Sequence, residues 1–292
     1  MSALDVYWWS PRHSARTFAG EVKEHGVAWA RLASPIRRAF TNFGDELNEQ
    51  LMAEITGRRI RWAPLGREDV VAVGSVLVPY LTRGGKGLIW GSGINRDASA
   101  AEVSRLDPAR VLALRGPKTI ATLGVSADTP QGDPGLLVRA LQTRPIERRG
   151  RIVIPHFTVF QRSESRARLR ELARGGYDVV LPTSTPDEMM RRILGAQEVA
   201  TTGMHGLILS HALRTPARLV TLADPPSGSP AFKYQDYFAS VRLAPHLVPA
   251  RDLLEGDGVR VQAEEARKDL AQVDGRIDEL INGLLASVKP LK

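Results

Sequence analysis

Short apolar runs alternate with helical patterns through the second half of the chain. The runs lie at residues 151–155, 177–182, 198–201 and 217–222, bounded by Gly or Pro. Helical patterns lie between them at residues 166–174, 185–195 and 207–213. Apolar runs of this length predict buried strands. Their alternation with helices predicts a parallel sheet that is covered by helices on both faces.

The first half has a similar but less regular pattern. It predicts strands at residues 4–8, 59–63, 70–73, 87–90 and 111–114, and helices at residues 45–55, 117–123 and 134–141. A charged stretch at residues 143–150 is the predicted linker, and an amphipathic helix at residues 262–288 is expected to pack on the first half or on a partner. We therefore predict an α/β protein with two Rossmann-like domains, residues 1–146 and 147–292, and a ligand site in the cleft between them.

Composition excludes several classes of protein. The 292 residues are 43% hydrophobic and 25% charged, which is typical of a globular protein rather than a disordered or fibrous one. The absence of Cys excludes disulfides, a thiol nucleophile and Cys-based metal sites. The apolar runs are too short to span a bilayer, and the first residues lack the pattern of a signal peptide. We expect a soluble, cytoplasmic protein.

The charge balance favours an anionic ligand. The net charge is +8, and 33 of the 40 basic residues are Arg. Arg binds phosphate and carboxylate bidentately, so the excess fits an anionic substrate, a nucleic acid or a lipid head group. A basic surface without a specific partner explains the same count. Because the Arg residues are scattered and lack interleaved aromatic residues, no nucleic-acid partner is expected.

Small and polar residues of the first half follow predicted strands or open predicted helices. They are Asn42, Gly44 and Asp45, then Gly91, Ser92 and Gly93, then Arg115 and Gly116, and finally Asp133. Glycines allow a ligand to approach the backbone, and Arg115 can share an anion with the helix that follows it. Asp45 and Asp133 are alternatively helix caps, and Arg115 is alternatively a surface residue beside a turn.

Two His residues follow predicted strands of the second half. His156 lies just after the first of these strands, and His205 lies between two Gly residues at the start of a helix. A helix N-terminus lowers the pKa of a His, and a bound anion raises it. His205 is therefore a candidate acid or base, with a structural role as the alternative. The sequence shows no metal-ligand cluster, so no metal is expected.

Seven short segments stand in a specific order along the chain. They are NFGDELN at 42–48, WGSGI at 90–94, LRGPKT at 114–119, GDPGLL at 132–137, IPHF at 154–157, TGMHGLILSHALRTP at 202–216 and KYQDYF at 233–238. Together they resemble the polysaccharide pyruvyl transferase family over about two thirds of the chain. The MHG form around His205 is similar to the branch that forms ketals on exopolysaccharides. Other branches carry Arg-Leu-His there, and their phosphate-binding Arg is absent here.

The resemblance implies a fold like that of GT-B glycosyltransferases and a reaction that uses phosphoenolpyruvate. Pyruvate is transferred to two hydroxyls of one sugar residue, which gives a cyclic ketal and phosphate. The sugar belongs to a lipid-linked oligosaccharide or a cell-surface polysaccharide. Peripheral contact with the inner face of the membrane is therefore expected too, because that face is anionic and the protein is basic. Phosphoenolpyruvate is a co-substrate, and no cofactor is expected.

The resemblance also distributes roles among the candidate residues. The donor is assigned to Arg115, Gly116, Met204, His205, Gly206 and Lys233. The acceptor is assigned to Asn42, Gly44, Asp45, Gly91, Ser92, Gly93, Asp133 and His156. Arg115, His205 and Asp45 are the catalytic candidates, with His205 as the acid and Asp45 as the base. Lys233 is predicted to lie in a loop of about a dozen residues that runs from Asp224, and to close over the phosphate.

Two other functions fit the same sequence. A GT-B glycosyltransferase would share the fold and use a nucleotide-sugar as its donor. A non-enzymatic module that binds anions or nucleic acid would account for the net charge alone, and its binding would be salt-sensitive. Binding of a nucleotide-sugar and not of phosphoenolpyruvate would indicate the glycosyltransferase, and salt-sensitive binding of DNA or RNA would indicate the non-enzymatic module.

Overall fold

Two parallel sheets organise the part of the chain that the computed structural model describes, residues 2–13, 15–32, 42–141, 146–223, 231–254 and 257–292. The first sheet contains β1 (Leu4–Tyr7), β2 (Ile60–Trp62), β3 (Val70–Val71), β4 (Leu88–Trp90) and β5 (Val111–Ala113). The second contains β6 (Arg151–Ile154), β7 (Tyr177–Val179), β8 (Glu198–Thr201), β9 (Ala217–Thr221) and β10 (Val248–Pro249). All neighbouring strands of these sheets are parallel. The predicted α/β class is confirmed, and residues 146 and 147 lie between the two sheets.

Helices connect the strands. They are α1 (Ala15–Leu32), α2 (Phe43–Thr56), α3 (Leu77–Thr82), α4 (Ala100–Val103), α5 (Pro117–Leu123), α6 (Val138–Leu141), α7 (Ser163–Arg174), α8 (Pro186–Leu194), α9 (Met204–Ala212), α10 (Phe232–Ser240) and α11 (Gly258–Ser287). Pro117 and Pro186 occupy first helical positions, where the missing N–H costs nothing. Gly57 and Gly124 end α2 and α5 in the left-handed conformation. Within the described ranges, no helix has the length and apolar character needed to cross a membrane.

Both sheets have the same strand order. The first runs β2-β1-β3-β4-β5, and the second runs β7-β6-β8-β9-β10. In each sheet the connections change direction beside the first strand, between β1 and β3 and between β6 and β8. Ligands of doubly wound sheets bind outside the carboxyl ends of the strands at this switch point. The fold therefore provides one crevice on each sheet.

The two halves share one cluster of buried hydrophobic side chains. It contains Leu47 from α2, Met190 from α8, Leu207 from α9 and Leu284 from α11. The indole N–H of Trp90 in β4 donates to the carbonyl oxygen of Leu284 at 3.2 Å. The C-terminal helix predicted from the sequence therefore packs back on the first half.

Several elements differ from the sequence prediction. The pattern did not predict α1, α3, α4, α10 or β10, and residues 134–137 form a 3-10 helix before α6. In α1 the backbone of Gly26 leaves the helical region with φ +81°, so the periodicity is interrupted. Lys233 lies in the first turn of α10 rather than in a loop. Residues 224–230 of the predicted closing loop and 143–145 of the predicted linker lie outside the described residues.

Candidate functional site

A cleft of about 310 Å³ opens where the switch points of the two sheets meet. From the first sheet, Tyr7 ends β1, Trp9 follows it, and Ser75 follows β3. From the second sheet, His156 follows β6, and residues 203–206 follow β8. The carboxyl ends of four strands therefore supply the walls, as the rule for doubly wound sheets predicts.

Seven of the residues predicted from the sequence line this cleft. They are Asn42, Asp45, His156, Met204, His205, Gly206 and Lys233. Most of them lie in the first turns of α2, α9 and α10. The N-terminus of a helix carries a partial positive charge and N–H groups without intrahelical partners. The cleft is therefore suited to an anionic ligand.

Thr201 shapes the start of α9. Its hydroxyl oxygen accepts from the N–H of Gly203 at 3.0 Å and lies against the backbone of Gly206, where a Cβ would come within 2.2 Å of it. Glycine is therefore required at position 206 for the helix to begin this close to the end of β8. The first turn of α9 is thereby held at the cleft.

His205 lines the cleft and forms a buried pair with Asp133, which is fully buried behind it. The contact with the acceptor that the sequence predicted for Asp133 is therefore corrected. The distance from His205 Nε2 to Asp133 Oδ2 is 4.0 Å, and neither atom has a hydrogen-bond partner among the described residues. The other carboxyl oxygen of Asp133 accepts from the N–H of Gly135 at 2.9 Å. Burial raises the pKa of Asp133 to about 6. Unpaired buried polar atoms are rare and mark functional groups, and catalytic hydrogen bonds often tighten only when substrate binds.

Gly44 lets α2 approach His205. A Cβ at position 44 would lie 2.0 Å from Nδ1 of the imidazole. Gly44 therefore makes room for His205, whereas the sequence predicted the approach of a ligand at this position. Gly44 itself is not among the residues that line the cleft.

The ionisable groups of the cleft have strongly shifted pKa values. Burial, together with the positive charges of Lys233 and Arg115, lowers the pKa of His205 to about 3. Burial raises the pKa of Asp45 to about 7, although a hydrogen bond from Asn42 at 2.5 Å acts in the opposite direction. Burial lowers the pKa of Lys233 to about 8. At neutral pH the cleft therefore holds a neutral imidazole, an ammonium group and a carboxyl group whose pKa lies near neutrality.

Arg115 is fully buried and does not line the cleft. Its Nε donates to Asp236 Oδ2 at 3.1 Å, and its Nη1 and Nη2 donate to Ser75 Oγ and the carbonyl oxygen of Ile94, both at 2.6 Å. The guanidinium is thus used within the protein. Because the guanidinium does not reach the cleft, the direct contact between Arg115 and a donor that the sequence predicted does not fit this arrangement.

Asp236 is the anion that Arg115 shares with the start of α5. Its carboxylate also accepts from the N–H of Thr119 at 2.9 Å and from the hydroxyl of Thr119 at 2.6 Å. A Cβ on Gly116 would lie 2.4 Å from the carbonyl oxygen of Asp236, so Gly116 accommodates α10 rather than a ligand. Lys233 and Asp236 lie three residues apart on α10. The ion pair between Asp236 and Arg115 therefore also fixes the part of α10 that carries Lys233.

The segment from Gly91 to Gly93 is also internal. Gly91 has φ +80°, and a Cβ there would lie 2.5 Å from the ring of Pro134. Ser92 is fully buried and donates to the carbonyl oxygen of Gly74 at 2.8 Å. A Cβ on Gly93 would lie 2.4 Å from Cζ of Arg115. These residues permit tight packing beneath the cleft, so their predicted contact with the acceptor is corrected.

The sequence analysis did not single out several residues that the structure brings to the site. They are Tyr7, Trp9, Ser75, Asn95, Phe157 and Asp236. Tyr7 and Ser75 lie in or just after predicted strands, so a systematic inspection of strand ends would have found them. Asp236 lies within KYQDYF, but no local pattern identifies its partner Arg115.

The fold and the cleft define a class of protein: an α/β protein with two doubly wound parallel sheets and a cleft lined by residues at the switch points of both. Comparison of the chain with protein-family models and with curated proteins found no match. The resemblance to polysaccharide pyruvyl transferases therefore stays a prediction.

Proposed function

We propose that this protein transfers pyruvate from phosphoenolpyruvate to two hydroxyls of a sugar residue, on a GT-B-like arrangement of its two halves. The observation that carries the proposal is the convergence of Lys233, the start of α9 and the buried side chains of Asp45 and His205 on one cleft. Cationic groups suit the donor, and the two groups with shifted pKa values suit proton transfer.

The donor carries a phosphate and a carboxylate, and the cleft offers positive charge to both. The start of α9 contributes N–H groups and about half a positive charge. With a pKa of about 8, Lys233 is mostly protonated at pH 7, and a bound anion would raise that pKa back towards the ordinary value of a Lys. In this proposal, Lys233 binds the donor phosphate in place of the Arg that other branches of the family use.

Ketal formation requires a defined exchange of protons. The central carbon of the donor forms two bonds to acceptor oxygens and loses two others, its bond to the phosphate oxygen and its π bond to the methylene carbon. The π electron pair forms the new C–H bond when the methylene carbon gains a proton. The two hydroxyls lose one proton each. Overall, one proton equivalent is added to the methylene carbon, which becomes the methyl group, and the other leaves on the released phosphate. The site must therefore both deliver and accept protons.

The pKa values favour Asp45 as the acid and His205 as the base. Burial raises the pKa of Asp45 to about 7, so it keeps its proton much closer to neutral pH than an ordinary carboxyl group does and can protonate the methylene carbon. His205 is neutral, so it can accept the proton of an attacking hydroxyl. The imidazolium that forms lies next to Asp133, whose unpaired oxygen can then accept a hydrogen bond from it. This reverses the roles expected from the sequence, because burial and neighbouring cations disfavour a protonated His205.

Phosphate release with phosphoenolpyruvate and a panel of pyranoside acceptors tests the proposal. We expect phosphate release that depends on the acceptor, and a product mass equal to acceptor plus pyruvate minus water. Phosphoenolpyruvate at millimolar concentration should also raise the melting temperature by mass action. If a nucleotide-sugar raises the melting temperature and phosphoenolpyruvate does not, the protein is a glycosyltransferase and the proposal is wrong.

A further inference from the structure

A second cavity of about 510 Å³ adjoins the cleft on the side of the first sheet. We name it the aromatic basin after the rings that line it, those of Tyr7, Trp9, His13, Trp62 and Phe157. Tyr7, Trp9, Pro79, Asn95 and Phe157 line both the basin and the cleft. The two spaces are therefore continuous, and a long ligand can occupy both.

We propose that the aromatic basin binds the neutral sugar residues that extend from the acceptor sugar in the cleft. The binding of sugars to the basin is independent of the donor. Its description as an acceptor site rests on the proposed function.

The rings of the basin are held in fixed orientations. The Trp62 ring lies parallel to that of His13, with centroids 4.0 Å apart, and its N–H donates to the carbonyl oxygen of Trp8 at 3.0 Å. The Trp9 ring is stacked on Phe157 with centroids 5.2 Å apart. Rings already held in place cost little conformational entropy when a ligand packs on them. The C–H face of a pyranose packs on such a ring, while its hydroxyls remain available for hydrogen bonds.

The polar side chains around the basin favour an uncharged ligand. Glu21, Glu24, Arg83 and Asn95 line it beside the rings. Two carboxylates repel a phosphate or a nucleotide, whereas carboxylate, guanidinium and amide groups all form hydrogen bonds with hydroxyls. The cleft, in contrast, has Lys233 and the start of α9 in its wall. The two spaces therefore separate an anionic donor from a neutral acceptor chain.

The size of the cleft also requires an additional space for a polymeric acceptor. Sites that bury a drug-sized molecule measure ~300–1,000 Å³. The cleft, at about 310 Å³, is at the lower end of that range, which suits the donor and one sugar ring. Further sugar residues must leave the cleft, and the basin continues it directly.

Direct binding measurements test the basin without the donor. The probes are methyl glycosides of glucose, galactose and mannose and the linear tetrasaccharides of the same sugars, measured by calorimetry. We expect at least one tetrasaccharide to bind ~10-fold more tightly than its methyl glycoside. Trp62→Leu and His13→Ala should each remove most of this difference, and Trp62→Phe should keep most of it. Val261→Ala, on the exposed face of α11, is the control and should bind as the wild type does.

The proposal is overturned if no tetrasaccharide exceeds its methyl glycoside, or if the difference survives in His13→Ala and in a folded Trp62→Leu. Because the His13 side chain is exposed, His13→Ala decides the matter alone if Trp62→Leu does not fold. Phosphate release is measured in parallel. If tetrasaccharides bind but no phosphate is released, the basin binds sugars and the proposed pyruvyl transfer is wrong. If phosphate is released but tetrasaccharides bind no better than methyl glycosides, the proposed pyruvyl transfer stands and the proposal for the basin is wrong.

Discussion

Replacing Asp45 with Asn should stabilise the protein at pH 8 while removing its activity. Asp45 is buried at the start of α2, and its carboxylate accepts from Asn42 at 2.5 Å. The surroundings are tight, since a Cβ on Gly74 would lie 2.9 Å from Asp45 Oδ1. Asn has the same shape as Asp, and its carbonyl oxygen can still accept from Asn42. The substitution therefore changes the charge and leaves the packing unchanged.

The magnitude follows from the pKa of Asp45. Burial raises this pKa from 3.8 to about 7, so the folded state binds the proton more tightly than the unfolded state. The unfolding free energy therefore falls as the pH rises from about 4 to about 7, and the loss is complete above that range. Each tenfold change in proton affinity corresponds to about 1.4 kcal/mol, which gives a loss of about 4 kcal/mol. The Asn variant has no proton to lose and avoids this penalty.

Urea denaturation of both proteins at pH 4 and pH 8 measures the effect. Other titrating groups, including His205, are present in both proteins and largely cancel in the difference. Asp236→Asn is the matched control, because it weakens a buried ion pair with Arg115 and should destabilise by about 3–5 kcal/mol at pH 8. If the difference between Asp45→Asn and wild type is the same at both pH values, Asp45 is not a buried carboxyl of raised pKa and the acid role assigned to it is refuted.

Further predictions concern the cleft and the groups that support it. Lys233→Gln should raise the donor KM by ~10-fold or more because a cation next to the anion is lost, with exposed Lys118→Gln as the control in a phosphate-release assay. Asp133→Asn should lower kcat by ~10-fold or more and leave the donor KM nearly unchanged, since Asp133 acts through His205; an equal rise in KM would contradict this. Arg115→Lys should destabilise the protein in urea by roughly 2–4 kcal/mol, because Lys cannot reproduce the three hydrogen bonds of the guanidinium. For the wild type, kcat/KM should fall as the pH rises above about 7, where Asp45 loses its proton, and a flat profile up to pH 9 would exclude Asp45 as the acid.

The sequence was sufficient to predict the α/β fold class and several of the residues that line the candidate cleft. Buried strands such as β6 and β8 are short apolar runs between Gly or Pro, and burial makes their pattern strong. The site follows from the topology, because the carboxyl ends of parallel strands lie at one edge of a sheet. His205 follows β8 in this sense, whereas Asp45 reaches the cleft from the first turn of α2. In contrast, α10 was missed because its nine residues are mixed in polarity and follow a loop-like sequence.

The use of each charged group could not be predicted from local sequence. Arg115 at the start of α5 has the pattern of an anion-binding residue, and it does bind an anion. That anion is Asp236, 121 positions away in the chain, and only the tertiary structure reveals this pairing. The same holds for Gly93, whose missing side chain makes room for the guanidinium of Arg115 rather than for a ligand.

The ion pair of Arg115 and Asp236 connects the two halves of the cleft. Arg115 belongs to the first half and also donates to Ser75, which lines the cleft, whereas Asp236 lies on α10 of the second half. The pair is fully buried, so separating its members would leave an unpaired charge in the interior at a cost of several kcal/mol. Lys233 is carried by the same helix as Asp236, so the cation of the cleft is placed by a contact outside the cleft. The positive charge of Arg115 therefore holds α10 in place, and the positive charge of Lys233 is the one that faces the cleft. This explains why Arg115, the most prominent Arg of the sequence motifs, is not among the residues that line the cleft.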